Sequence, residues 1–487
     1  MSSVNNNCFR VVWQKEKPLV GLMLFMTILY SVFSIFNHLH FDSNAWDLGN
    51  FDQMVWHYSR LEAPACTQLG LANCLGDHFS PILALCAPLF WVYPHVEILL
   101  AAQVVLIALS LIPIFLFAER KVGRSQAYAL AVAYSVFWGI QSTIRSDFHP
   151  DVFALPIIAF AIYFIDREQW ISASASIFLL LFVKEDLTLL VSFFGVYLAI
   201  HKKLKLGVLF FLMGIVFFYQ EVVIWIPHFH GTEGQYPHWL YAELGVQPAE
   251  AVKAVLKNPF LPILVMFSNW IKIGALLRLF GPFLFLCLYS SLALLMIPLI
   301  MAKELNSNPH MWEMATQYSA TLCPILFMAA ADGIARWRKK PLFKISFSKK
   351  IPTAPVLILI INLILILFFA AWRGVEHARF WTFTDRDRTA GQVYALIPPD
   401  ASVETQTSIA PHLTHRKVIY SLDDTTRCDA IVPDFVVACR DINCYPVSYQ
   451  DMENCMTEKE RKGYRKIFES NGWIVLKSPN NSSVSSK

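Results

Sequence analysis

The sequence predicts an α-helical polytopic membrane protein, with about eleven transmembrane helices and a small extracytoplasmic α/β domain at its C-terminal end. Three observations predict it. First, 56% of the 487 residues are hydrophobic and only 16% are charged, with a mean hydropathy of +0.46, whereas about a quarter of a soluble domain is charged. Second, the apolar residues fall in blocks at 18–36, 97–118, 125–143, 152–165, 171–183, 187–200, 206–226, 259–301, 318–331 and 351–371, several of them near the ~20 residues that cross a bilayer. Third, Lys and Arg gather in alternate connections.

Those connections orient the chain. Arg10, Lys15 and Lys17, then Arg120, Lys121 and Arg124, then Arg167, then Lys202, Lys203 and Lys205, and the run 336–350 all fall on one side when the spans are taken in order. That side is expected to be the cytoplasm, which puts the N-terminus inside and the tail outside the cell (inner) membrane. The first apolar block is too long for a signal peptide and lacks a small-residue cleavage site, so it reads as a retained helix. A net charge of +4 is explained by the cytoplasmic loops, and no nucleic-acid partner is expected; the expected partner is the lipid bilayer.

A membrane domain is expected over 1–371, with a large first external loop at 37–96, followed by a soluble tail over 372–487. The loop carries two aromatic-rich amphipathic stretches, "NAWDLGNFDQMVWHYSRL" and "DHFSPILALCAPLFWVYP", expected to lie at the membrane interface. The tract 259–301, broken at Gly281-Pro282, reads as a hairpin or as something irregular. In the tail, "ASVETQ", "KVIYSL", "AIVPDFVVAC" and "GWIVLKS" read as strands and "EKERKGYRKIFES" as a helix. Cys66 and Cys74 in the loop, and Cys428, Cys439, Cys444 and Cys455 in the tail, suggest disulfides in an oxidising compartment, with three connectivities open for the tail.

A charged group deep in a bilayer costs about 2.5–3.5 kcal/mol even on the mildest scale, so the end of the helix at which acids and bases collect is informative. Four external turns deliver them: Asp47 and Asp52 in "DLGNFDQ", Asp77 and His78 in "GDHFSP", Arg145, Asp147, His149 and Asp151 in "IRSDFHPD", and Lys184, Glu185 and Asp186 in "VKED". Pro150 disfavours a helical His149 and suits the first turn of a following helix. Residues 146–149 are therefore expected to be extended, with Asp147 and His149 on one side, able to share a divalent cation or to act as an orienting pair. Plain alternatives exist for each turn. Asp151 suits a helix N-terminus, Lys184 a C-terminus, Asp186 an N-cap, and Ser80 would cap a helix at Pro81; a solvated surface role would explain Asp47 and Asp52. The functional alternative makes Lys184 and Arg145 cations for a phosphate. "HFH" at 228–230 offers zinc ligands without a completing partner. The absence of Gly-rich phosphate cradles, nucleophile elbows, HExxH and CxxC argues against soluble ATPases, serine hydrolases and zincins.

The motifs "DLGNFDQMVWH", "GDHFSPILAL", "DFHPDVFALP", "VKEDL", "QYSATLCPILFMAAADG" and "LIPPDASVETQTSIAPHLTHR", in this order over nearly the whole chain, resemble a family of prokaryotic multi-pass membrane proteins, domain of unknown function 2079, related to the GT-C glycosyltransferases. Where its members often carry His-Tyr-Ser before the late helix, this chain has Gln317-Tyr318-Ser319. The resemblance implies a GT-C-like membrane domain that moves a sugar from a polyprenyl-phosphate carrier to an acceptor on the outer face. It further implies Asp47 as the loop carboxylate acting as base, with Asp52 or Asp77 as substitutes. Substrate contacts are then expected from Arg145, Lys184, Glu185, Asp186, Gln317 and Tyr318, and a divalent metal ion from Asp77, His78, Asp147, His149 and Asp151. The competing readings are a carrier or flippase for a lipid-linked substrate and a catalytically degenerate scaffold. Against the carrier, the ionisable groups sit at span ends rather than at the bilayer midplane.

Overall fold

A computed structural model describes residues 15–232, 235–314, 316–339, 353–368, 378–422 and 430–479. The apolar tracts are helical, but they are not uniform rods. Among the described residues four helices are long and apolar enough to cross a membrane: Lys17–Leu39, Glu97–Val122, Leu204–His230 and Gln317–Lys339. The other tracts are shorter or broken. The tract 125–143 divides at Phe137, which is extended, into Arg124–Val136 and Trp138–Arg145. The tract 259–301 is the irregular one, with helices Leu261–Met266, Trp270–Phe280 and Ala293–Glu304 separated by 3-10 turns. Leu284 and Phe285 there adopt left-handed backbone, φ 52° and 57°, which no continuous helix accommodates.

Close backbone approach fixes one helical pair. Gly195 in Glu185–Ile200 and Gly207 in Leu204–Tyr219 face each other so tightly that a Cβ on either would strike the other helix's backbone. This contact sets the depth and direction of the helix that begins at Lys184-Glu185.

The ends of the helices form two poles. At one, Glu16 accepts from Arg124 (2.9 Å) and Tyr128 (2.6 Å), Asp166 accepts from Arg120 (3.0 Å) and Lys121 (2.7 Å), and Asp332 accepts from Arg336 (2.6 Å). The opposite pole receives the four turns singled out in the sequence. Most of the basic run 336–350 and Cys428 lie outside the described residues.

The tail forms a five-stranded sheet of order β2-β1-β3-β5-β4, with β1 Val403–Thr405, β2 Ile419–Ser421, β3 Phe435–Cys439, β4 Arg465–Ser470 and β5 Trp473–Lys477. Strands β2, β1 and β3 run parallel, and β3, β5 and β4 antiparallel. Four strands fall where the sequence predicts them. The predicted helix over 458–470 does not form as such: the helix spans Tyr449–Arg461 and β4 follows it. Gly463, at φ 91°, stops the helix, and Asn471-Gly472, at φ 48° and 81°, makes the two-residue reversal of a hairpin. "SNG" carried that signal in the sequence, overridden there by the high helix propensity of the charged residues before it.

The tail docks on the loop 37–96. Thr67, within the Cys66–Cys74 disulfide loop, donates to Ile419 O and accepts from Ile419 N, both at 2.9 Å, closing the open edge of β2. Asp52 is fully buried and accepts hydrogen bonds from Thr414 Oγ1 and from His415 Nε2, the latter at 3.0 Å. Asp52, expected as a catalytic carboxylate, is thus spent on holding the tail. The His412 ring stacks on His38 at 3.9 Å.

These histidines give docking a pH dependence of worked-out sign. Burial pushes His412 down to about 3, so undocking in acid releases a base that takes up a proton. Docking is then lost by about 1.4 kcal/mol for each pH unit below the unfolded value. For His415, burial alone would lower the pKa, but the charge and hydrogen bond of Asp52 outweigh it and raise it. Its contribution is fully present below the unfolded value and is lost as pH rises through the folded one. Protection of residues 410–422 from hydrogen exchange is therefore expected to peak at a pH of about 6.5 and to fall on both sides; a profile flat from about pH 5 to 8 contradicts it.

Candidate functional site

The site is built around Asn44. Its side-chain oxygen accepts from the backbone N–H of Trp46 (3.0 Å) and Asp47 (3.2 Å), capping the turn Ala45–Gly49 that leads into the helix Asn50–Ser59. This cap places Asp47 in a first turn, where exposed N–H groups favour a carboxylate. The backbone N–H and side-chain amide of Asn44 both donate to Asp147 Oδ2, at 3.0 and 3.4 Å, and the amide also reaches Asp47 Oδ2 at 3.5 Å. One asparagine thus ties together two carboxylates 100 residues apart in sequence.

Asp147 is not extended as the sequence suggests. Its φ is 62°, a left-handed conformation that Asp tolerates better than most residues and that here points its carboxylate at Asn44. His149 is extended, φ −136° and ψ 147°, and Pro150 opens a 3-10 turn, Pro150–Phe153, ahead of the helix Ala154–Asp166. His149 Nε2 lies 3.0 Å from Asp47 Oδ1 and 2.8 Å from the Gln317 side-chain amide. One ring nitrogen cannot donate to the first and accept from the second at once. With Asp47 ionised the proton belongs on Nε2, and the Gln317 amide then presents its oxygen.

Burial pushes the Asp47 carboxyl up, but the His149 charge, its hydrogen bond and that of Asn44 outweigh burial and hold it below the ordinary carboxylate value. Asp147 goes the other way: burial raises it well above that value, the negative charge of Asp47 raises it further, and the Asn44 N–H only partly offsets them. Two neighbouring carboxyls are driven apart in proton affinity, Asp47 toward the ionised form and Asp147 toward the protonated one. Asp47 keeps 36% of its side chain exposed while His149 keeps 5%, so the ionised group is the one a solute can reach.

Gln317 and Tyr318 also line a polar cavity of about 140 Å³, together with Asp151, Lys184, Glu185, Asp186, His78, His238, Tyr236 and Lys303. Lys184 Nζ stands 3.4 Å from Asp151 Oδ2, and Lys303 Nζ donates to Ser319 Oγ at 2.7 Å. Glu185, buried, accepts from Tyr236 (2.7 Å) and from the Phe79 N–H (3.3 Å), and pairs with His78 Nδ1 at 2.7 Å. Asp77 pairs with His238 Nε2 at 2.8 Å. Its burial raises the carboxyl, but His78 and His238 outweigh that and lower it; His78 in turn is raised above its usual value, Glu185 and Asp77 overcoming burial.

The structure thus brings Asp47, Asp147, His149 and Gln317 into one network, and His78, Asp151, Lys184, Glu185, Asp186 and Tyr318 around the adjoining cavity. Arg145 stands apart, exposed at the end of Trp138–Arg145, where its charge acts on Asp42. Two capping roles read from the sequence are corrected. Lys184, not Asp186, is the N-cap of Glu185–Ile200, so Asp186 sits in the first turn; Ser80 holds the cap position before Pro81 without a side-chain cap bond. The "HFH" stretch supplies His230, which bonds Gly76 O at 3.0 Å. The sequence reading missed Asn44, whose signal was an N-cap residue before "AWD", and Tyr236, His238 and Lys303, which carried no spacing signal.

A family model described as predicted membrane protein, DUF2079, matches residues 37–475. No protein of curated function matches the sequence. Among solved structures, ArnT from Cupriavidus metallidurans bound to undecaprenyl phosphate is similar at 12% identity and TM-score 0.54, covering 94% of this chain and 97% of that one. The same protein in the apo state gives 11% and 0.51, covering 95% and 98%. At such identity the likeness is one of fold alone.

Since Asn44 both caps the turn and binds Asp147, Asn44→Ala is expected to destabilise the protein by about 1–2 kcal/mol. Asp147→Asn, which preserves the shape of a protonated carboxyl, is expected to stay within about 1 kcal/mol of the parent. Thermal unfolding in detergent checks both, and equal losses contradict the assignment.

Proposed function

The chain belongs to the DUF2079 family of predicted membrane proteins, and from that premise we propose that it is a glycosyltransferase moving a sugar from a polyprenyl-phosphate donor to an acceptor hydroxyl at the extracytoplasmic face of the cell membrane. One observation carries this reading: an ionised, reachable Asp47, held by His149, which itself bonds Gln317, stands next to a cavity that carries Lys184 and Tyr318. The fold shared with a protein solved with undecaprenyl phosphate supports it.

In this reading the acceptor oxygen attacks the anomeric carbon, the bond from that carbon to the phosphate oxygen breaks, and the configuration inverts in one displacement. Asp47 takes the hydroxyl proton as bond formation makes it acidic. The leaving polyprenyl phosphate needs its charge stabilised rather than a proton, and Lys184, with Lys303 deeper in the wall, supplies that charge. His149 keeps Asp47 ionised and aimed. Asp147, biased by burial toward its protonated form and accepting from Asn44, limits the negative charge next to the base.

The GT-C resemblance also implies a divalent ion. Asp47, Asp147 and His149 fit it poorly: Asp47 Oδ1 and His149 Nε2 bond each other, Asn44 holds Asp147 Oδ2, and the three do not offer convergent ligand atoms. Among the described residues the only group of three convergent ligand atoms is Asp77, His78 and His238, on the cavity's other side. An ion there would add positive charge beside the phosphate.

Asp47→Asn is expected to reduce sugar transfer from a labelled polyprenyl-phosphate donor by at least about 10³-fold while donor binding stays within about threefold. Lys184→Ala is expected to weaken donor binding itself. Transfer by Asp47→Asn at the parent rate discards Asp47 as the base; donor binding and translocation without any transfer in the parent protein favours a carrier.

A further inference from the structure

The break in the tract 259–301 leaves a groove. Between Phe280 and Ala293 the chain makes 3-10 turns, with left-handed backbone at Leu284 and Phe285, so no continuous helix covers the adjoining flanks of Glu185–Ile200 and Ala293–Glu304. The space there is about 470 Å³, within the range of about 300–1,000 Å³ that holds a small-molecule ligand. Ile200, Phe280, Leu288, Ile297 and Ile300 form much of its wall, and Ile200, Leu288 and Ile297 stay exposed along its open side. An uneven surface facing lipid would account for such a wall. It does not account for the polar end.

That end is built from three elements, at the pole where Asp332 meets Arg336. His201 Nδ1 bonds Tyr197 O at 2.8 Å, and its Nε2 lies 3.5 Å from Ser291 Oγ, which accepts from Arg336 Nη2 at 3.1 Å. Ser290 Oγ donates to Asp332 at 2.6 Å, and Arg336 Nε bonds the same carboxylate at 2.6 Å. Three cations, Arg120, Lys121 and Arg336, share two carboxylates, Asp166 and Asp332. The network therefore keeps a net positive charge, with the Arg336 side chain half exposed. Lys202, exposed at the turn after His201, adds another cation, while Lys203 is turned away onto the Trp170 ring at 4.4 Å.

We propose that this groove binds one acyl chain of an anionic glycerophospholipid, whose phosphodiester sits at Ser291, Arg336 and Lys202. Basic pockets between membrane helices complement anionic headgroups, whereas a zwitterionic headgroup brings a cation of its own to the same place. The apolar wall takes the chain out of contact with polar groups and fills the side that the broken tract leaves uncovered. This binding does not rest on the sugar-transfer reading. A polyprenyl phosphate placed for that reaction would have its phosphate by Lys184, at the other pole.

The test uses the full chain, purified in a mild detergent, delipidated, and then given phosphatidylglycerol or phosphatidylethanolamine with the same acyl chains. Native mass spectrometry is expected to find phosphatidylglycerol retained on the parent at least about fivefold better than phosphatidylethanolamine, the effect of one cation near a headgroup. Arg336→Gln is expected to lower that preference by about fivefold. Ile297→Trp, which fills the groove, is expected to lose both lipids, and Val208→Trp, on the exposed face of Leu204–Tyr219, to behave as the parent does. Asp47→Asn is expected to keep the lipid. Should Ile297→Trp fail to fold, Ile297→Phe serves, with size-exclusion elution as the control. Equal retention of the two lipids by the parent, or parent-like retention by a folded Ile297 variant, overturns the site. So does a polyprenyl phosphate as the lipid that Ile297→Trp displaces, or a dimer of this chain that the same change dissociates.

Discussion

The pole that gathers the four polar turns depends on Asn44 and what it binds. It starts the turn that carries Asp47 and accounts for the left-handed backbone that turns the Asp147 carboxylate inward. Buried carboxyls repel one another, and an arrangement of two of them persists only if one keeps its proton or a cation separates them. This chain combines a donor-rich asparagine, a histidine beside Asp47 and an Asp147 that burial biases toward its protonated form. The result is one exposed carboxylate with its surroundings fixed, as the role of base proposed for it requires.

The scaffold holds that network from two sides. From within the membrane domain, the glycine contact between Glu185–Ile200 and its neighbour fixes where Lys184 and Glu185 emerge. From the other side, the tail grips the same loop that carries Asp47, through Asp52, Thr67 and the aromatic contacts of Phe41 with His412 and Trp473. Asp47 and Asp52 lie five residues apart, on different sides of one short helix-turn. One faces the cavity region and the other the tail. Their chemistry is identical, and burial by different partners separates their roles.

The coarse reading of the sequence survives because it rests on local and compositional physics. Apolar tracts, basic connections and the grouping of acids and histidines in alternate turns are each visible in a few consecutive residues, and the four turns do meet at one pole. The losses have equally definite causes. Broken spans come from residues such as Phe137 and Leu284, whose backbone angles are set by neighbours, not by hydropathy. The 458–470 segment has helix-forming composition yet forms β4, because a strand partner and an Asn-Gly reversal outweigh propensity. His238 and Tyr236 were indistinguishable in sequence from any other aromatic loop.

What the sequence determined by itself is the class of molecule and the inventory of one pole: a helical membrane protein with an α/β tail, and the carboxylates, imidazoles and lysines able to meet there. Only the tertiary structure decided which of them do. Hydropathy and periodicity act over a turn or two of chain, whereas the pairs that define the site, Asp47 with His149, Gln317 with His149, Asp77 with His238 and Asp52 with His415, join residues 100 to 360 positions apart. Their geometry is fixed by how helices of unequal length pack, and no local pattern encodes that.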